Sequence, residues 1–175
     1  MLFTLLLASV AMAGCSVMGV RRHQPHFKTS RQLEGTAGTY RVGTVKAADL
    51  SVESTLSATS LSCRLTTFDL PPQTSVATYL RDALTDELDA GRKLAKDGRE
   101  IGLFVHRFES DTSSLDQGAW HLDITYEIDG RSYRVSTQTP FESAFVATTA
   151  CANTATALTD ALSENFSQLF AKLAR

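Results

Sequence analysis

No stretch of this chain stays apolar for the roughly 20 residues that a membrane-spanning helix requires. The most apolar segment, Leu2 to Ala13, is 12 residues long. Excess charge of either sign is also missing: 17 Lys and Arg face 19 Asp and Glu, a net −2 with neutral His. A general nucleic-acid binder needs a strongly basic face, so no nucleic-acid partner is expected. The sequence has no His-Glu-x-x-His, Gly-x-Ser-x-Gly, Cys-x-x-Cys or Walker loop. It therefore offers no signature of catalysis, and neither a cofactor nor a metal is expected. Cysteine is scarce and odd in number, with three in the chain. What is present is 43 % apolar residues over 175 positions, enough to bury one compact core.

The N-terminal segment MLFTLLLASVAMAG (1–14) is uncharged. Its apolar run has the length of a signal-peptide core and ends in small residues. It departs from that pattern in having no basic residues at its start. Cys15 follows directly. The tetrad Met12-Ala13-Gly14-Cys15 resembles the bacterial lipobox, whose usual form is Leu-Ala-Gly-Cys. The resemblance implies that Cys15 carries a diacylglyceryl group, that cleavage occurs just before it, and that the new amine is acylated. Ser16, rather than Asp, follows the cysteine, which in enterobacteria-like sorting implies transfer to the outer membrane. Several acyl chains, at about 0.8 kcal/mol per buried CH₂, would anchor the protein firmly. The membrane is thus the first expected partner, through Cys15.

Residues 15–39 read as the lipidated cysteine and a flexible tether, because SVMGVRRHQPHFKTSRQLEGTAGT shows neither helical nor strand periodicity. Arg21, Arg22, Lys28 and Arg31 against Glu34 give it +3, which leaves −5 on the domain expected over 40–175. As a coil the tether spans roughly 25–30 Å. Its basic residues suit anionic headgroups, and equally a merely solvated linker. His23 and His26 are three apart, but no Cys or carboxylate cluster accompanies them, so they are not taken as metal ligands.

From Tyr40 the pattern sharpens. Tyr40, Val42 and Thr44 alternate with polar residues and predict a first strand. Residues 51–62 read as an irregular connection or an edge strand, and a second strand is expected near 60–67. Pro71-Pro72 stops it. Thr74 or Ser75 can cap a helix whose stripe is Val76, Leu80, Leu84 and Leu88, with Gly91 as its end. Next come three strands. The first carries Ile101, Leu103 and Val105 on one face and Phe104 and Phe108 on the other, which suggests an internal strand. Trp120, Leu122, Ile124, Tyr126 and Ile128 alternate without error up to Asp129-Gly130, a type I′ hairpin signal. A two-residue turn opposes Tyr126 to Tyr133, Ile124 to Val135, Leu122 to Thr137 and Thr125 to Arg134. A last helix begins within 144–153, on a stripe of Ala155, Leu158, Leu162, Phe166, Leu169 and Leu173. The expected fold is α+β: a two-layer sandwich, with a mostly antiparallel sheet of four or five strands and two amphipathic helices on one face.

With Cys15 assigned to lipid, Cys63 and Cys151 remain. A secretory signal implies an oxidising compartment, and both residues lie near helix starts, so a Cys63–Cys151 disulfide is expected. The other chemical candidates are weak. His106 reads as a satisfied or edge histidine and His121 as a solvated one. Asp111 and Asp116 suit turn chemistry better than cation binding. Trp120, Tyr126 and Tyr133 read as core rather than as a ligand groove. Asn165-Phe166-Ser167 matches a glycosylation sequon by chance. A hydrolase assembled from His106 and Asp111 would need them within about 8 Å.

The lipobox, the helix TSVATYLRDALTDELDAG, the meander ending in Asp-Gly, and FESAFVATTACANTATAL before the last helix together look like small periplasmic lipoproteins of uncharacterised function. The architecture is also similar to the lipopolysaccharide-assembly lipoprotein and to auxiliary lipoproteins of lipid-transport ABC systems. None of their residue-level motifs carries over beyond Cys15. The resemblance implies a non-enzymatic binding or envelope-assembly module on the periplasmic side of the outer membrane, with an envelope protein or lipid as partner. The alternative it implies is a lipid-binding accessory of an envelope lipid or lipopolysaccharide transport system.

Overall fold

The structure, a computed structural model, describes residues 19–174; the signal segment and Cys15 lie outside them. The elements run α1 (Phe27–Glu34), β1 (Tyr40–Ala47), α2 (Leu50–Ser57), β2 (Ser60–Cys63), β3 (Thr66–Asp69), α3 (Val76–Ala90), β4 (Arg99–Asp111), β5 (Gln117–Ile128), β6 (Arg131–Glu142) and α4 (Ala147–Leu173). The fold is α+β. The main sheet has the order β1-β4-β5-β6, and β2 and β3 form a small separate hairpin. The pairs β4–β5 and β5–β6 are antiparallel, whereas β1 lies parallel to β4.

Strands β5 and β6 carry the strongest local instructions. Asp129 and Gly130 both adopt positive φ, +52° and +74°, as a type I′ turn demands. The register follows as expected: Tyr126 opposes Tyr133, Ile124 Val135, Leu122 Thr137 and Thr125 Arg134. The buried face of β5 presents Trp120, Leu122, Ile124 and Tyr126 to the helices. On β4 the outcome differs in one place. A register shift between Val105 and Arg107 inserts an extra residue. Phe108 thereby returns to the core face that Ile101, Leu103 and Val105 occupy, and all four are buried. Phe104 alone stays on the other side, half-buried under Lys46.

Parallel pairing of β1 with β4 requires a long crossover, which α2, the β2–β3 hairpin and α3 supply. The loop after α3 is laced to the start of β1: Tyr40 N–H donates to Lys93 O at 2.7 Å and Ala95 N–H to Tyr40 O at 2.9 Å. Gly98 is the residue this crossing needs, since a Cβ there would lie 2.6 Å from the Tyr40 backbone.

Helix α3 begins at Ser75, whose hydroxyl accepts from Thr78 N–H at 3.2 Å. It packs on β1, and α4 crosses β5 and β6 on the same face. Trp120, Tyr126, Phe166 and Phe170, all with no exposure, fill the space between the layers. Two expectations fail over 50–69. The Ser- and Thr-rich segment is helical as α2, with Val52 and Leu56 buried one turn apart. The strand expected over 60–67 is two strands, split by a turn in which Arg64 has φ +50°.

The largest correction concerns the tether. Residues 19–39 pack against the domain, and α1 lies on α4. Val20, His23, Thr29, Leu33 and Thr36 are buried. The contacts at 29, 33 and 36 have helical spacing, but two of the three are threonines, so no apolar stripe marks them. Helix α4 meets this cover with small residues, the buried Ser163 and Ser167. The folded domain therefore begins by Gly19, not Tyr40.

Candidate functional site

The polar surfaces of the domain group into three places. The first is the open face of the main sheet. His106 Nε2 lies 2.9 Å from Thr125 Oγ1 on the neighbouring strand. Arg134 donates through Nε and Nη2 to Asp123 at 3.0 and 2.6 Å, and Ser136 adds a third bond to the same carboxylate. The Arg134 bond holds the Asp123 carboxyl below its ordinary pKa. His121 faces outward, half-buried. Asp111 accepts from Ser113 N–H at 2.9 Å and Asp116 from Ser114 Oγ at 2.7 Å, the turn roles expected of them. These bonds keep both carboxyls below their ordinary pKa. His106 and Asp111 are five positions apart on one strand, about 15 Å along it, so the structure does not bring them together. This face pairs its charges with one another.

The second place is internal. Glu87, on the inner side of α3, has no exposure, and its Oε1 lies 2.8 Å from His23 Nε2. The same oxygen accepts from Ser163 Oγ of α4 at 3.2 Å and from His26 N–H at 3.3 Å. One carboxylate oxygen thus ties the N-terminal segment to both large helices. His26 itself points outward, 3.4 Å from Asp160. Among the described residues no group of three or more His, Cys, Asp and Glu side chains gathers as a metal site. The pattern reading left His23 solvated on a tether. A Glu on the buried stripe of α3, at the spacing of Leu80, Leu84 and Leu88, was the signal that a polar partner had to come from elsewhere.

Tyr79 completes the junction by donating to Arg21 O at 2.9 Å. Burial pushes its phenol up to about 12. A raised acid pKa means that its contribution to stability is complete below the unfolded value near 10 and is lost as pH rises towards 12. Tyr79→Phe should cost about 1 kcal/mol at neutral pH, the usual worth of one hydrogen bond. It should also flatten the loss of stability between about pH 10 and 12 in denaturant titrations, whereas an unchanged alkaline limb would assign that loss to other tyrosines.

The third place is the end of the molecule that holds the disulfide. Cys63, at the tip of β2, is bonded to Cys151 in the second turn of α4, with Cα atoms 5.3 Å apart. Trp120 backs this end with its ring edge-on to Phe68 and its Nε1–H donating to Thr154 O at 3.0 Å. Asn165, in the sequon, is fully buried and accepts from Tyr126 Oη at 2.6 Å, so it is a core residue. Surface grooves of about 330 to 680 Å³ line the domain. None of these grooves is lined by Tyr126, Phe166 or Phe170, and an acyl chain between sheet and helices would have to displace those rings.

No helix among the described residues is long and apolar enough to cross a membrane. No protein-family model and no curated protein matches the chain. Among solved structures, protein XCC0632 from Xanthomonas campestris, of the family model DUF330, superposes with a TM-score of 0.50. The two share 16 % identity over 78 % of this chain and 81 % of that one. A second structure, of an uncharacterised protein, gives 0.44 and 12 % identity over 79 % and 90 % of the two chains. Likeness at this level of identity speaks for fold alone: this chain has the α+β architecture of the XCC0632 structure.

Proposed function

We propose that this chain is a bacterial lipoprotein, held at the outer membrane by acyl groups on Cys15, with a non-enzymatic binding or assembly domain facing the periplasm. The observation that carries the reading is the Cys63–Cys151 disulfide. Disulfides persist in oxidising compartments, so the bond supports export. It also uses two of the three cysteines and leaves Cys15, the one within Met12-Ala13-Gly14-Cys15. The non-enzymatic part is supported by the self-paired charges of the open sheet face and by the burial of Glu87 and His23 inside the fold.

The test is Cys15→Ala expressed in a bacterial host. The variant should take no palmitate label and should leave the membrane fraction, while the parent retains both. Persistent labelling of the variant would overturn the reading. Crosslinking of the folded domain in intact cells, followed by identification of what it captures, then names the envelope partner.

A further inference from the structure

We propose that one end of the domain, carrying Leu65, Leu115, Phe145 and Val146, is a second membrane contact that seats the domain on a zwitterionic phospholipid leaflet; the proposal rests on the Cys15 anchor. These four residues are 94, 58, 81 and 56 % exposed, the most concentrated apolar exposure on the described surface. They come from three separate loops, the β2–β3 turn, the β5 approach and the β6–α4 connection. A single residue gathers them. Arg64 N–H donates to Thr112 Oγ1 at 2.9 Å, and its guanidinium donates to Ser114 O at 3.1 Å, to Phe145 O at 2.8 Å and to Ala144 O. Each apolar side chain is therefore within two residues of an Arg64 contact. The disulfide pins the same turn to α4 from behind. The tips are held on fixed backbone, so little ordering entropy opposes their insertion.

The occupant follows from where the chain enters the fold. Gly19 pairs with Asp69 in parallel, and Val20 N–H donates to Asp69 O at 2.8 Å. Parallel to β3, the chain at Gly19 is travelling away from the Leu65 turn. Three residues separate Cys15 from Gly19, so the two are at most about 14 Å of extended chain apart. Leu65 lies about 13 Å from Asp69 along the strand. The Leu65 end is thereby within reach of the anchoring cysteine. Exposed apolar side chains gathered at one end within a polar rim mark an interaction site. The rim here is acidic, with Asp111, Asp116 and Glu142, which favours a zwitterionic leaflet over a strongly anionic one.

The experiment uses the lipidated full-length product in phosphatidylcholine vesicles containing brominated lipid. The native indole, Trp120, is fully buried and supplies a constant background. Phe145→Trp places a reporter in the patch. Arg131→Trp places one at the opposite end of β6, about 36 Å away at the rise of a strand. The expected result is quenching several-fold stronger for Phe145→Trp than for Arg131→Trp. Equal or absent quenching in protein that carries palmitate overturns the patch and leaves the anchor standing. Protection of the Phe145→Trp reporter from iodide without quenching by bromolipid means that a second copy covers it, and also overturns the proposal. Absence of palmitate from the parent removes both the anchor and the patch.

Discussion

Replacing Glu87 with alanine is expected to lower the unfolding free energy by about 3–5 kcal/mol, the usual result of taking one partner from a buried ionisable pair. The side chain has no exposure, and a single oxygen serves His23 Nε2, Ser163 Oγ and His26 N–H. Removing it strands two buried polar groups and a part-buried N–H rather than one group. Glu87 Oε2 and His23 Nδ1 already have no protein partner among the described residues, so the junction has little slack. The double variant His23→Leu, Glu87→Leu removes both sides of the pair and should recover most of the loss. Urea unfolding followed by circular dichroism measures both. A loss below about 1 kcal/mol for the single variant would mean that the N-terminal segment leaves the domain at little cost.

Loss of the disulfide is the second large effect. Cys63→Ser with Cys151→Ser should cost about 2–5 kcal/mol, and the chain-entropy argument for a bond spanning 88 residues puts it near the upper end. Wild-type protein under reducing conditions should unfold at the same denaturant concentration as the double variant. Without reductant, an alkylating reagent should modify neither residue even in protein unfolded by denaturant, where both would otherwise be accessible. Modification of both under those conditions would show two thiols instead.

How much of this was legible from residues alone follows from where the instructions are local. The β5–β6 register is written in one turn and an unbroken alternation, so Asp129-Gly130 and Trp120 to Ile128 suffice. Helices α3 and α4 carry strong apolar stripes, and the cysteine pair follows from compartment and position. The misread elements draw their order from distant partners. Helix α1 is held by Thr29, Leu33 and Gln32, the last accepting from Ser167 of α4 at 2.5 Å, across 135 positions. Helix α2 buries only Val52 and Leu56, while Leu50 is exposed. The extra residue near His106 that turns Phe108 inward has no local signature, since a one-residue slip reverses faces without altering composition. The candidate site was legible at its covalent points, Cys63 and Cys151. The His23–Glu87 junction was not, because its halves lie 64 positions apart.

The packing of α1 on α4 has a consequence for timing. The first helix made rests on the last one made, so α1 cannot settle until the chain is complete. Until then the N-terminal segment has its contacts to β3 and α3, at Val20, Arg21 and His23, to hold it. Once α4 is in place, Ser163 and Ser167 add the bonds to Glu87 and Gln32 that close the segment and α1 onto the domain. A chain truncated before α4 would therefore keep its N-terminal strand on β3 and leave the helix that follows without a seat.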